Sequence, residues 1–260
     1  MTNLDKVKFF FNKNGYIILP KFLVSEFYDK SFEKVNSEVN DEYLSNYKQI
    51  KKLGGFLTGN LDLLPSQIIL DIWTEIRKSN INEIFKHIFD KNIENFDVKF
   101  AGNISIPKKG SQLYHTDGPK KSRKILIGVP IEDLNEIDGP TELIPGSHID
   151  QIPFWQFYLT KFSKEKKKII LEKGDIFIRE SHIWHKGTKN KNNKLRTVIL
   201  FILSEKKNDS HLVKQNIHEK IKFGENMFQT NASGYLKEVL SVYFPIIFAL
   251  IKIALSIFRR

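Results

Sequence analysis

The sequence predicts a mainly β protein, a jelly roll or barrel with helices packed outside it. Three observations carry that expectation. From about residue 96 onward, short β-prone stretches recur between Gly/Pro turns, as sandwiches and barrels require. Before that point the apolar residues keep a helical period. From Val239 to Phe258 the chain is almost wholly apolar. With 260 residues, 41% of them hydrophobic, the chain can bury a sizeable core. The expected organisation is one domain over 1–234, with 1–95 as mostly helical support and 96–205 as β core. An apolar helical tail follows over 235–260.

Leu4, Val7, Phe10 and Phe11 fall at helical spacing, and Gly15 is a suitable stop for that helix. Tyr16–Pro20 reads as a short strand. Ser25 to Tyr47 carries a loose stripe of Phe27, Phe32, Val35 and Val39 and reads as helix. Gly54-Gly55 breaks the chain. Pro65–Ser79 and Ile81–Asp90 read as two more helices, separated at Asn80. Phe96–Pro107 is strand-like, Lys108-Lys109-Gly110 is a turn, and a strand through Gln112–Gly118 follows. Lys124–Ile131 (KILIGVPI) suits a buried strand. Thr141–Ile144 is short and extended between the turns Asp138-Gly139-Pro140 and Pro145-Gly146-Ser147. A helical insert is expected from Phe154 to Lys168. Ile169–Leu171, Asp175–Arg179 and Leu195–Leu203 read as further strands. At the end, Ser233 can cap a helix that starts at Tyr235. Pro245 should kink the apolar tail, and Lys252 sits inside it. A helix lying in a membrane interface or packed on the barrel is therefore expected, rather than a membrane span.

Composition narrows the chemistry. The chain has no cysteine, which excludes a disulfide framework, a thiol nucleophile and an iron–sulfur cluster. That fits a reducing compartment such as the cytoplasm. Met1–Lys13 has no apolar core of a secretory signal. The net charge of +11 is spread along the chain, without zinc-finger spacing or an RNA-binding aromatic signature. Nucleic acid is therefore not an expected partner.

The chemistry centres on Gln112-Leu113-Tyr114-His115-Thr116-Asp117-Gly118. On a strand, residues i and i+2 share a face, so His115 and Asp117 aim at one point. An imidazole and a carboxylate there are two of the three ligands of a facial metal site. A third imidazole is available seventy residues on, in Glu180–Gly187, which offers His182 and His185. Two imidazoles and one carboxylate on Fe(II) leave positions for a chelating co-substrate and oxygen. Arg196 follows His185 by eleven residues at the start of an apolar strand. A buried guanidinium there needs an anionic partner, and its planar fork suits the carboxylate of a small acid.

These motifs together resemble the phytanoyl-CoA dioxygenase family of Fe(II)/2-oxoglutarate oxygenases. FFNKNGYIILPKF (Phe10–Phe22) is similar to the family's opening helix and strand, and QLYHTDG to its proximal metal motif. DGPTELIPGSH (Asp138–His148) is similar to the segment between the metal motifs. GDIFIRESHIWHKGTKN (Gly174–Asn190) is similar to the distal histidine motif. The resemblance implies a double-stranded β-helix with helices outside it. It prefers His185 to His182 and so implies that His115, Asp117 and His185 bind Fe(II). It also implies that Arg196 binds the far carboxylate of 2-oxoglutarate. The implied reaction consumes O2 and releases succinate and CO2 while hydroxylating a small-molecule or lipid-like substrate. Halogenating relatives replace the metal carboxylate by a small residue, so Asp117 points to hydroxylation.

Gln112 and Thr141 are further candidates to contact the co-substrate; otherwise Gln112 is a turn residue facing water and Thr141 a β-former. Asn190 either orders the loop after the distal histidine or merely ends it. His148 is expected to be structural. Trp155, Phe157 and Tyr158 either wall a substrate pocket or belong to the core. His87, His211 and His218 read as ordinary. Two other readings compete with the hydroxylase: a jelly-roll binding protein without chemistry, and a membrane-associated protein whose business is residues 239–258.

Overall fold

The computed structural model describes residues 3–47, 57–118, 124–150, 152–206, 215–224 and 232–257. The expectations for Gly54-Gly55 and His211 and the last three residues of the 235–260 tail fall outside those residues.

The apolar run near residue 124 forms a strand buried on both faces, β4 (Lys124–Pro130), once the earlier strands β1 (Tyr16–Leu19), β2 (Asn60–Leu63) and β3 (Phe96–Ser105) are counted. The later strands are β5 (Thr141–Leu143), β6 (Lys167–Lys168), β7 (Ile176–Glu180), β8 (His185–Gly187), β9 (Arg196–Glu205) and β10 (Phe223–Gly224). Among the described residues, seven of them make one antiparallel sheet in the order β1-β7-β4-β9-β3-β2-β10. The other three make a small sheet in the order β6-β5-β8. The two sheets enclose a core that includes Tyr16, Leu143, Phe177 and Ile183. With the flanking helices, this is the architecture of the double-stranded β-helix.

Strict alternation sorts the strand residues. Ile125, Ile127, Val129, Ile176, Ile178, Ile199, Phe201 and Leu203 point away from the small sheet, into the main core. The helices α2 (Glu26–Ser45), α3 (Gln67–Lys78) and α4 (Ile81–Phe89) cover them. They do so with apolar stripes such as Phe32/Val35/Val39 and Ile69/Ile72/Ile76. Trp73 meets Phe201 at 4.8 Å between ring centroids. Each such buried side chain contributes about 1.5–3 kcal/mol, which anchors the sheet whose other face carries the cleft. The helix α1 (Asn3–Asn14) stops at Gly15, whose φ of +78° closes the turn into β1.

Several expectations need correction. The helical insert is shorter than predicted. After a single turn α5 (Ser147–Asp150), helix α6 runs only over Phe154–Thr160, with a 3-10 turn to Ser163. Lys167-Lys168 is a strand paired with Leu143-Glu142. A helix through this lysine run would have placed Lys164 and Lys168 one turn apart, a repelling pair. Ile169–Leu171 extends that strand's path through single contacts rather than a ladder. The strands β2 and β10 were not anticipated; Asn60–Leu63 is short and β10 spans two residues. The C-terminal helix α7 (Ala232–Tyr243) has begun before Ser233, so Ser233 is not its cap. Helix α8 (Pro245–Ile257) follows, with the break at Phe244-Pro245 where the proline was expected to act. No helix among the described residues is long and apolar enough to cross a membrane.

Candidate active site

The predicted strand through Gln112–Gly118 is not a strand. It touches the 181–187 segment at three points, and the register slips between them. Gln112 N–H donates to Gly187 O (2.9 Å), His115 and His185 exchange backbone bonds (2.9 and 3.0 Å), and Asp117 N–H donates to Ser181 O (2.8 Å). Only the His115/His185 pair counts as a bridge. The convergence argued from strand alternation is still reached, because this backbone pairing sets the two histidines side by side. Their ring centroids lie 4.4 Å apart.

The ligand atoms of His115, Asp117 and His185 all lie within 4.8 Å of one another. The Asp117 carboxylate stands 3.6 Å from His115 Nε2 and 3.5 Å from His185 Nε2. Each ring uses its other nitrogen on the backbone: His115 Nδ1 lies 2.8 Å from Leu113 O, and His185 Nδ1 3.0 Å from Ile183 O. A carbonyl only accepts, so both Nδ1 atoms donate, which leaves Nε2 of each ring turned to the carboxylate. The donor set of two imidazole nitrogens and a carboxylate oxygen can hold a divalent transition metal. Burial pushes the His185 ring down to about 3, with the Arg179 charge acting the same way. It is therefore neutral and ready to ligate at ordinary pH. His182 is buried too, but lies outside this cluster.

Arg179 was not singled out in the sequence. It sits on β7 beside Phe177 in alternation, and its guanidinium is 2.5 Å from Asp117 Oδ2. Burial would raise the Asp117 carboxyl, but Arg179, His185 and His115 outweigh it and hold it well below the usual carboxylate range. A charged residue inside the apolar strand IFIRE was the available signal.

A cleft of about 790 Å3 opens on this cluster, within the usual size for a small-molecule site. Arg196, Gln112 and Thr141 line it with the three ligand residues. Arg196 is buried, and its Nε has no hydrogen-bond partner among the described residues. Burial pulls this guanidinium down to about 10, against the Asp138 charge, so it stays protonated at neutral pH. Buried donors are rarely left orphaned, and a guanidinium can take an anionic partner. Gln112 uses its side-chain oxygen on Gly187 N–H (2.8 Å), tying its segment to β8. Thr141 pairs with Gly187 across β5 and β8.

The remaining residues fall on the structural side. Asn190 orders its loop: its amide donates to Ser105 O and Lys194 O, and its oxygen accepts from Asn192 N–H. His148 packs against Gly15 and reaches Asn12 O at 3.2 Å. Phe157 and Tyr158 do not line the cleft; they join a separate core cluster in which Phe157 stacks on Trp184 at 3.9 Å. Trp155 is also absent from the cleft lining.

The phytanoyl-CoA dioxygenase profile matches residues 11–198, a span that holds the whole small sheet, most strands of the large one and the cluster. The chain belongs to the phytanoyl-CoA dioxygenase family. Solved structures similar to this family member include the non-haem α-ketoglutarate-dependent carbocyclase SnoK from nogalamycin biosynthesis. That match has a TM-score of 0.59 at 13% identity and covers 86% of this chain and 94% of SnoK. The epimerase SnoN, in complex with Fe3+, α-ketoglutarate and nogalamycin RO, matches with a TM-score of 0.57 at 11% identity, covering 84% and 97%. AviO1 from Streptomyces viridochromogenes Tue57 matches with a TM-score of 0.55 at 13% identity, covering 83% and 100%. At such identities the likeness is one of fold. No curated protein matches this chain in sequence.

Proposed function

We propose that the protein is an Fe(II)- and 2-oxoglutarate-dependent oxygenase that hydroxylates a small-molecule or lipid-like substrate. The observation that carries this reading is one cleft holding both ends of a co-substrate site. His115, Asp117 and His185 converge at one point, and Arg196, whose buried Nε has no partner among the described residues, lines the same cleft. In this reading the two Nε2 atoms and the Asp117 carboxylate hold the metal. Arg179 fixes the carboxylate so that it presents a set oxygen. Arg196 binds the far carboxylate of 2-oxoglutarate, and Gln112 and Thr141 line the co-substrate's side of the cleft. When bound, iron with 2-oxoglutarate and O2 supplies oxidation of a C–H bond, with release of succinate and CO2. The residues of this chain orient that chemistry and keep it inside a largely walled cleft.

Family membership and the Fe3+ and α-ketoglutarate in the SnoN structure support the assignment. The test is succinate formation by the full chain given Fe(II) and 2-oxoglutarate in air. We expect succinate above background from the wild type and none from His185→Ala. A wild type as silent as that variant, while folded, would contradict the reading. SnoK and SnoN are named a carbocyclase and an epimerase, so hydroxylation is tested by product mass. Gain of one oxygen supports it; loss of two hydrogens or unchanged mass overturns the hydroxylase part and leaves the oxygenase site standing.

A further inference from the structure

Helix α8 has its apolar side outward. In a helix that packs on a soluble core, the solvent-facing half is polar. Here Ala249 and Phe248 are buried and Ile253 is half-buried against α6 and Trp184, while the outer half carries Ile246, Ile247, Leu250, Ile251 and Leu255. Ile246 is 76% exposed and Leu250 59%. Tyr243 and Phe244, at the break between α7 and α8, are exposed as well. The single charge on α8, Lys252, sits on its flank with Nζ 5.5 Å from the Phe248 ring centroid, its stem along apolar surface.

The patch has a basic border. Helix α6, against which α8 packs, runs directly into Lys161–Lys168, where five lysines accompany one glutamate. Lys161 Nζ lies 3.9 Å from the ring centroid of Tyr158, which shares a cluster with Ala249. Lys186 adjoins Tyr114, which belongs to the same cluster as Ala249. An apolar helix face beside a lysine cluster is the pattern of an interfacial membrane contact. A second copy of this chain fits less well. At a two-fold contact the apolar face would meet itself, which gives the lysines beside it no anionic partner, whereas an anionic lipid surface supplies one.

We propose that the outer face of α8, with the adjoining lysines of 161–168, docks on an anionic lipid surface as a peripheral contact. The helix lies along the interface, since its 13 residues span roughly 20 Å against a bilayer core of roughly 30 Å. This proposal is independent of the chemistry proposed for the cleft.

The test is co-sedimentation of the full chain with vesicles of phosphatidylcholine alone, and of phosphatidylcholine and phosphatidylserine in equal parts. Binding to the mixed vesicles at low salt, and little to phosphatidylcholine alone, is expected. Ile247→Glu with Ile251→Glu should weaken it by at least about tenfold, since both face water and leave the core intact. Lys166→Glu with Lys167→Glu should also weaken it by more than about tenfold, at about fivefold per charge removed from an anionic surface. Circular dichroism checks that each variant is folded. Absence of binding to mixed vesicles, equal binding by the isoleucine variant, or indifference to the lysine variant would each overturn the proposal. So would a wild-type dimer that the isoleucine variant dissolves without any vesicle binding, which would identify a second copy as the occupant.

Discussion

At the scale of single residues, the site is governed by two buried arginines with different tasks. Arg196 lines the cleft and has a buried Nε without a partner among the described residues, and Arg179 is committed to Asp117. Replacing Arg196 by Ala should weaken 2-oxoglutarate binding by roughly 30-fold or more, because a desolvated charge pair is lost. Arg196→Lys should recover only part of that, since the fork is gone. Calorimetric titration of the metal-loaded protein separates these outcomes. Replacing Arg179 by Leu should lower the stability of the metal-free protein by about 1–3 kcal/mol, read in urea melts, because Asp117 is left without its cation. Its partial exposure keeps the cost below that of a fully buried pair. A third case concerns Glu142, which accepts from Tyr114 Oη at 2.5 Å and pairs with Lys186 at 3.1 Å. Burial would raise its carboxyl, but these hydrogen bonds outweigh burial and hold it below its ordinary 4.5. A depressed carboxyl stabilises the fold above its ordinary value, and that contribution is lost as pH falls through the depressed one. Tyr114→Phe should therefore lower stability near about pH 7 and flatten the acid-side loss in melts compared between about pH 7 and about pH 4. The ligand residues were legible because their types and order carry the chemistry. Arg179 was less so, because one charge in an apolar strand gives no partner; only the fold puts Asp117 beside it.

At the scale of elements, turns set the geometry that the ligands need. Gly139 has φ of +73°, and a Cβ there would lie 2.9 Å from the backbone of Asn190 and Thr188. Gly139→Ala should cost about 1–3 kcal/mol in a urea melt, since backbone and not a flexible side chain must yield. The long amphipathic helices and the apolar strands were readable, because their periods repeat over many residues. Gln112–Gly118 has the side-chain pattern of a strand, but its path is a slipped set of contacts. Its side-chain pattern does not reveal register, which is set by the 181–187 segment across the site. The lysine run has the look of a helix in sequence because its partner, Leu143-Glu142, lies more than twenty residues upstream. Local propensity cannot see such a ladder.

At the scale of the whole molecule, the architecture divides labour between the faces of the large sheet. One face is buried under helices, and the other, with the small sheet, holds the cleft. Fold class was legible from the texture change near residue 96 and from the order of motifs. The two helices at the C-terminal end were legible as apolar but not in their placement. Helix α7 is held by Glu238, whose carboxylate accepts from the N–H groups of Leu57 and Thr58, and α8 by Ala249 in the Trp184 cluster. We propose that 1–234 is a single domain on which 235–260 rests as a dependent extension. Truncation after Gly234 should then leave a folded protein with one cooperative transition, less stable by about 2–4 kcal/mol from the lost burial and hydrogen bonds. A truncated chain that does not fold would make the tail part of the domain.

We propose that one cleft binds Fe(II) through His115, Asp117 and His185 and 2-oxoglutarate through Arg196. The most direct test is anaerobic titration of the metal-free protein with Fe(II) and then 2-oxoglutarate, following the visible charge-transfer band of the chelate. A band is expected in the wild type, none in His185→Ala, and one in Arg196→Ala only at much higher 2-oxoglutarate. A folded wild type that binds no iron and develops no band would contradict it.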